Sequence, residues 1–170
     1  MDGANAGAVG GLTLLVTGGA KQGKSVFTVA LARSLPPPRY YIAAMEPFDE
    51  QWRARAERHR SARGADFETI ERRRDLSGLS LPNRGAALLE CIPNLTANEM
   101  FRPDYSIVPD ARTRILNGVE SLAAQCETLI VVTNEIGRDA HGFDAASMEY
   151  IEALGAINNA LAARFGVVAE

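Results

Sequence analysis

Lysine is nearly absent from this chain: of its 18 lysine and arginine residues, only Lys21 and Lys24 are lysine. Cysteine is also scarce. Cys91 and Cys126 form no disulfide framework and no metal-ligand spacing, so two reduced thiols in a cytoplasmic protein are expected. No apolar stretch approaches the length of a membrane span, and no basic segment followed by a long apolar core opens the chain, so neither a spanning helix nor a secretory signal is expected. Excess positive charge is missing too. A net charge of -3 and a pI near 5.5 give no general electrostatic reason to bind nucleic acid or an anionic membrane. No internal repeat or low-complexity segment is evident. The 170 residues suffice for one domain with a full core and are too few for two ordinary ones. Residues 1–11, small and rich in Gly and Ala, read as a flexible leader before a single domain over 12–170.

The two lysines fall in one segment, Gly18-Gly19-Ala20-Lys21-Gln22-Gly23-Lys24-Ser25, which fits the phosphate-cradling pattern G-x-x-x-x-G-K-[ST]. Gly18 and Gly23 allow a tight turn and bring backbone N–H groups against phosphate oxygens. Lys24 can reach the β- and γ-phosphates as a compact charge, and Ser25 can place its hydroxyl on Mg²⁺. Lys21 lies within this nucleotide-binding loop, but the motif does not require it. The flanks fit as well: Leu12 to Thr17 is a short apolar run suited to a buried parallel strand, and Val26 to Leu35 has helical length and composition. The helix N-terminus adds partial positive charge at the phosphates.

Further along, Pro36-Pro37-Pro38 breaks the helix, and Arg39 to Ala44 reads as a second strand. Asp49 to Ala62 reads as a helix with Trp52, Ala56 and His59 on one face, followed by a small strand at Phe67 to Ile70 and a loop over Asp75 to Arg84. Ala86 to Cys91 is an apolar run ending in a carboxylate. Asp110 to Cys126 has the helical period, Thr128 to Thr133 is the most strand-like stretch, and Ala145 to Phe165 reads as a long helix. Strands alternating with helices predict a mostly parallel sheet covered on both faces, an α/β P-loop NTPase fold of the RecA-like type.

In such sheets ligands bind at the carboxyl ends of the strands. Glu90, at one such end, could hold Mg²⁺ directly or through water as the acidic partner of Ser25. His59 stands among Arg55, Arg58, Arg60 and Arg63, which could hold phosphate oxygens while the imidazole attacks phosphorus. A packed or solvated histidine is the other reading of it. His141, in a Gly-containing loop, has no such company.

Together these residues resemble a known family, the bifunctional adenosylcobinamide kinase and adenosylcobinamide-phosphate guanylyltransferase of cobalamin biosynthesis. Val16 to Ser25 looks like its V-T-G-G-x-x-S-G-K-S, with Gln22 in place of the usual Ser, and Tyr41-Ile42-Ala43-Ala44 resembles its Y-I-A-T. Arg55 to Arg60, Arg63 and Phe67 to Glu71 are similar to its R-I-x-x-H-R, R and W-x-T-x-E series. Leu88-Leu89-Glu90-Cys91 resembles L-L-[DE]-C with Asn98 after it, and Val132 to Gly137 looks like V-T-N-E-V-G. The segment from Arg138 to Asp144 and the stretch Ile92 to Thr96 depart from the family pattern, and the chain stops where a final strand should begin.

The resemblance implies a transferase with two activities. One passes a γ-phosphoryl group from GTP or ATP to adenosylcobinamide; the other attaches GMP to the resulting phosphate through a guanylylated histidine, by position His59. It implies Lys24, Ser25 and Glu90 as the phosphate and Mg²⁺ group, Arg60 and Glu71 as nucleotide contacts, and a homotrimer. Two alternatives stay open: a family member that binds nucleotide in a regulatory or partner-binding role, and a P-loop small-molecule kinase unrelated to corrinoids.

Overall fold

The computed structural model describes residues 11–46, 64–135 and 143–170, together with Glu50, Arg53, Ala54, Glu57, Arg60 and Ser61. Its centre is a six-stranded sheet built from β1 (Leu12–Val16), β2 (Arg39–Ala43), β3 (Glu68–Glu71), β4 (Ala86–Glu90), β5 (Thr128–Val132) and β6 (Val167–Ala169). The strand order is β3-β2-β4-β5-β1-β6, and every pairing is parallel. Apolar runs such as Leu88-Leu89 and Leu129 to Val132 form strands here because both faces of a parallel sheet are covered, leaving no polar face to alternate with.

Four helices are described whole: α1 (Lys24–Ser34), α2 (Ile92–Met100), α3 (Ala111–Gln125) and α4 (Ala145–Arg164). Between β2 and β3, the described residues Glu50, Arg53, Ala54, Glu57, Arg60 and Ser61 are helical. The period-two alternation of the strands sorts the core into two layers. Leu15, Ile42, Leu89 and Val131 face α2, α3 and α4, where Leu95, Ile115, Leu122 and Ile157 are buried. Leu14, Val16, Tyr41, Leu88 and Ile130 face α1, where they meet Ala32 and Leu35. Among the described residues no helix is long and apolar enough to cross a membrane.

Two elements differ from the sequence reading. Ile92–Met100, given no structure there, is a helix: Pro93 lies in its first turn, where a missing N–H costs nothing, and Ile92, Leu95 and Met100 are buried. The third strand starts at Glu68 because Phe67 turns into the α1-side core, against Tyr41 with ring centroids 6.3 Å apart. At the other edge, in the stretch where the sequence reading has the chain stop short of a final strand, Val167–Ala169 forms a three-residue strand paired with β1. The leader expected over 1–11 lies outside the described residues apart from Gly11.

The register sets up the site. Ala43 pairs with both Glu71 and Glu90, Glu90 with Val132, and Val132 with Val16. The last residues of β3, β2, β4, β5 and β1 therefore lie on one rung at the carboxyl edge, with two carboxylates among them.

Candidate active site

Beyond Val16 the chain leaves the sheet and turns back as a loop into α1. Gly18 and Gly23 carry it with φ of 125° and 84°, a region that disfavours side chains, and Lys21 adopts φ 62° between them. Gly23 caps α1 without any side-chain hydrogen bond, and the first turn holds no acidic residue. The helix N-terminus is thus left for an anion. The Lys24 ammonium donates to the carbonyl oxygens of Gly18 at 3.0 Å and Gly19 at 2.5 Å, so it is folded back over the loop it would use to meet phosphate.

Ser25 Oγ donates to Glu90 Oε1 at 2.5 Å, across the intervening strand β5. The Tyr41 hydroxyl donates to the other carboxylate oxygen of Glu90. Burial pushes the Glu90 carboxyl up from its ordinary value, and the hydrogen bond from Ser25 opposes that shift. The result is a half-buried carboxylate gripped from two sides by hydroxyls, directly beneath the start of α1.

A cavity of about 740 Å³ spreads from here along the carboxyl edge of the sheet. One wall is Ala20 to Ser25 with Glu90, and the other includes Arg60, Glu71 and Arg73. Arg60 Nη2 lies 2.6 Å from Glu71 Oε1, and Arg73 Nη2 lies 3.6 Å from Glu71 Oε2. Asn98, buried on α2, holds this wall to the sheet by donating from Nδ2 to the Ala44 carbonyl at 2.8 Å and to the Arg73 carbonyl at 3.1 Å. Its neighbour Glu99 accepts from the Asp75 amide and pairs with Arg114 at 3.2 Å. The turn after β3 is pinned twice to one helix.

Of the residues singled out in the sequence, Ala20, Lys21, Gln22, Gly23, Lys24, Ser25, Arg60, Glu71 and Glu90 line this one cavity. Gly18 and Gly19 contribute the carbonyls that hold Lys24. His59 lies outside the described residues, as do Arg55, Arg58, Arg63 and His141; Arg53, Glu57 and Arg60 of the same helical stretch do line the cavity. Sequence reasoning missed Tyr41 as a partner of Glu90 and Arg73 as part of the lining. Their signal was weak: Tyr41 looked like one more apolar strand residue, and its hydroxyl finds Glu90 only through the pairing of β2 with β4.

Residues 14–169 match the family described as Cobinamide kinase / cobinamide phosphate guanyltransferase. The chain belongs to that family. The "Bifunctional adenosylcobalamin biosynthesis protein CobU" of Escherichia coli is 30% identical over 165 residues, covering 89% of this chain and 91% of that protein. Its namesake from Salmonella typhimurium is 31% identical over 168 residues with the same coverages, and the corresponding CobP of Pseudomonas aeruginosa is 28% identical over 153. Likeness to solved structures is looser: the flagellar accessory protein FlaH of Methanocaldococcus jannaschii aligns at a TM-score of 0.38 and 11% identity, covering 88% of this chain and 70% of that one, so the fold rests on the sheet itself.

As a member of the cobinamide kinase / cobinamide phosphate guanyltransferase family, the chain is a transferase. The matched region takes in the P-loop, Glu90 and the Glu71 wall, so the whole described cavity lies within it.

Proposed function

We propose that this protein phosphorylates the aminopropanol hydroxyl of a cobinamide-type corrinoid and then attaches GMP to that phosphate, using His59 as the nucleophile that carries the GMP. The observation that carries this reading is the single cavity that joins the P-loop and Glu90 to the helical stretch flanking His59. One nucleotide held there offers its γ-phosphorus at the loop and, farther along the chain of phosphates, an α-phosphorus to a second nucleophile.

In the first reaction the corrinoid hydroxyl oxygen bonds to the γ-phosphorus, and the nucleoside diphosphate leaves with the bridging oxygen. Lys24 and the N–H groups at the start of α1 stabilise the charge spread over the phosphoryl oxygens. In the second, the His59 imidazole bonds to the α-phosphorus of GTP and pyrophosphate leaves; an oxygen of the corrinoid phosphate then displaces the imidazole. Arg60 and Glu71 belong to the nucleotide side of this cavity.

The residues present suit Mg²⁺. Ser25 Oγ and Glu90 Oε1 are hard oxygen donors 2.5 Å apart at the phosphate loop. Among the described residues no group of three His, Cys, Asp or Glu side chains could hold a metal alone. That matches a cation that keeps waters and completes its shell with substrate phosphates. When bound, it neutralises charge on the phosphate oxygens.

Incubation with α-labelled GTP and Mg²⁺ tests the reading. The protein should acquire an acid-labile, alkali-stable label that His59→Ala abolishes, and γ-label should pass to cobinamide. Absence of label on the unaltered protein, or equal label on His59→Ala, overturns the guanylyltransferase half; absence of γ-transfer overturns the kinase half.

A further inference from the structure

A second cavity, of about 440 Å³, opens beside the P-loop on the opposite face of β1 from α1. Leu15, Ile151, Leu154 and Val168 give it an apolar floor, and Thr17 and Glu135 stand among its lining. The two cavities meet at one peptide, because Asn134 lines the first and Glu135 the second.

That junction is built rather than incidental. The Glu135 amide donates to the Gly18 carbonyl at 3.2 Å, and the Lys24 ammonium donates to the same oxygen at 3.0 Å. Two bonds to one oxygen leave the ammonium and the Glu135 amide at most about 6 Å apart. Asn158 on α4 fixes the approach: its Nδ2 donates to the Asn134 carbonyl at 3.0 Å, and its Oδ1 accepts from Thr133 Oγ1 at 2.7 Å. The Glu135 backbone is therefore held close to the Lys24 ammonium, and Glu135, exposed, stands in the lining of the second cavity. Glu90, the other carboxylate at this end of the loop, already accepts from Ser25 and Tyr41.

We propose that the second cavity receives the hydroxyl-bearing arm of the acceptor and that Glu135 takes the hydroxyl proton as the oxygen bonds to the γ-phosphorus. This rests on the kinase reading above and adds the acceptor side to it. The balance is simple: the O–H bond breaks as the O–P bond forms, the proton goes to the Glu135 carboxylate, and the diphosphate leaves with the bridging oxygen. Apolar Leu15, Ile151, Leu154 and Val168 suit the methylene and methyl groups of an alkanolamine arm.

Steady-state kinetics of γ-phosphoryl transfer to cobinamide by Glu135→Gln and Glu135→Asp tests this, with calorimetry of GTP on each. Glu135→Gln should lower kcat by about 100-fold, with Glu135→Asp recovering part of it, as expected for loss of a general base. KM and Kd for GTP should stay within about threefold, since no nucleotide contact is removed. A Glu135→Gln protein that keeps kcat within about threefold overturns the inference, as does one whose loss lies wholly in GTP affinity. An unaltered protein that transfers no phosphoryl group to cobinamide overturns the underlying kinase reading instead. In Leu154→Phe, filling the cavity should raise the KM for cobinamide and leave the Kd for GTP unchanged; an unchanged KM for cobinamide removes the cavity from the proposal.

Discussion

Ser25 and Glu90 are 65 residues apart in sequence, and their side chains meet at 2.5 Å with a whole strand between the elements that carry them. The pairing of β4 with β5 and of β5 with β1 brings the two strand ends level, and the loop after β1 reaches over. Removing the carboxylate charge by Glu90→Gln should raise the Mg²⁺ concentration needed for half-maximal nucleotide binding by roughly tenfold or more, since a charged ligand becomes neutral. Titrating Mg²⁺ against a fluorescent GTP analogue checks it; an unchanged midpoint removes Glu90 from the cation site.

Lys24→Ala removes the cation that bonds the Gly18 and Gly19 carbonyls. A charge-assisted contact is worth about 1.5–3 kcal/mol, so GTP affinity should fall on the order of 10- to 100-fold. Calorimetry reads the affinity, and circular dichroism of the same sample should be unchanged.

The two thiols differ. Cys126 is fully buried, and burial pushes its thiol from 9.0 up to about 12, whereas Cys91 is half-buried on the edge of the cavity beside the P-loop. At pH 8 a thiol reagent should modify Cys91 and spare Cys126 until the protein unfolds, because only thiolate reacts. GTP should slow the first reaction. Above pH 9 the unfolded chain releases a proton that native Cys126 retains, so stability should decline as pH rises from about 9 to 12. Mass spectrometry after limited alkylation identifies the site, and two equally fast thiols contradict the burial argument.

Two helical glycines should respond oppositely to alanine. A Cβ at Gly118 on α3 would lie 2.7 Å from Leu76 Cβ, inside the core, while one at Gly155 on α4 meets nothing within 4 Å. Gly118→Ala should destabilise by about 1–3 kcal/mol through overpacking. Gly155→Ala should stabilise by about 0.5–1 kcal/mol through helix propensity. Denaturant midpoints of both variants decide the matter.

Asn98 spans two carbonyls that no other described group has been shown to satisfy in its place, at Ala44 and Arg73. Asn98→Ala should cost about 1–3 kcal/mol in unfolding free energy. It should also weaken GTP binding, because Arg73 and Glu71 share the loosened wall. Melting curves with and without GTP separate the two effects.

The loop from Gly18 to Ser25 was legible because everything it needs is local: glycines at the turning points, a strand before it, a helix after it. The strands were legible for a related reason, since Leu129 to Val132 is too uniformly apolar for any place but the middle of a covered sheet. Helix Ile92–Met100 was not, because Pro93 argues against a helix everywhere except in a first turn, and only packing tells that this is one. Tyr41 and Asn98 carried a type but no address. A tyrosine in a strand and an asparagine in a helix become supports of the site through partners 49 and 54 residues away.

The sequence alone determined the P-loop pattern between a strand and a helix, and that the strands form a parallel sheet, since those properties follow from neighbours along the chain. Only the tertiary structure decided that Ser25 faces Glu90, that Glu71 and Glu90 share one rung with Ala43 between them, and that Lys24 and Glu135 bond the same carbonyl. Strand order and register place those atoms. Both are set by how two apolar layers close over the sheet, a global packing outcome that no local stretch of residues encodes.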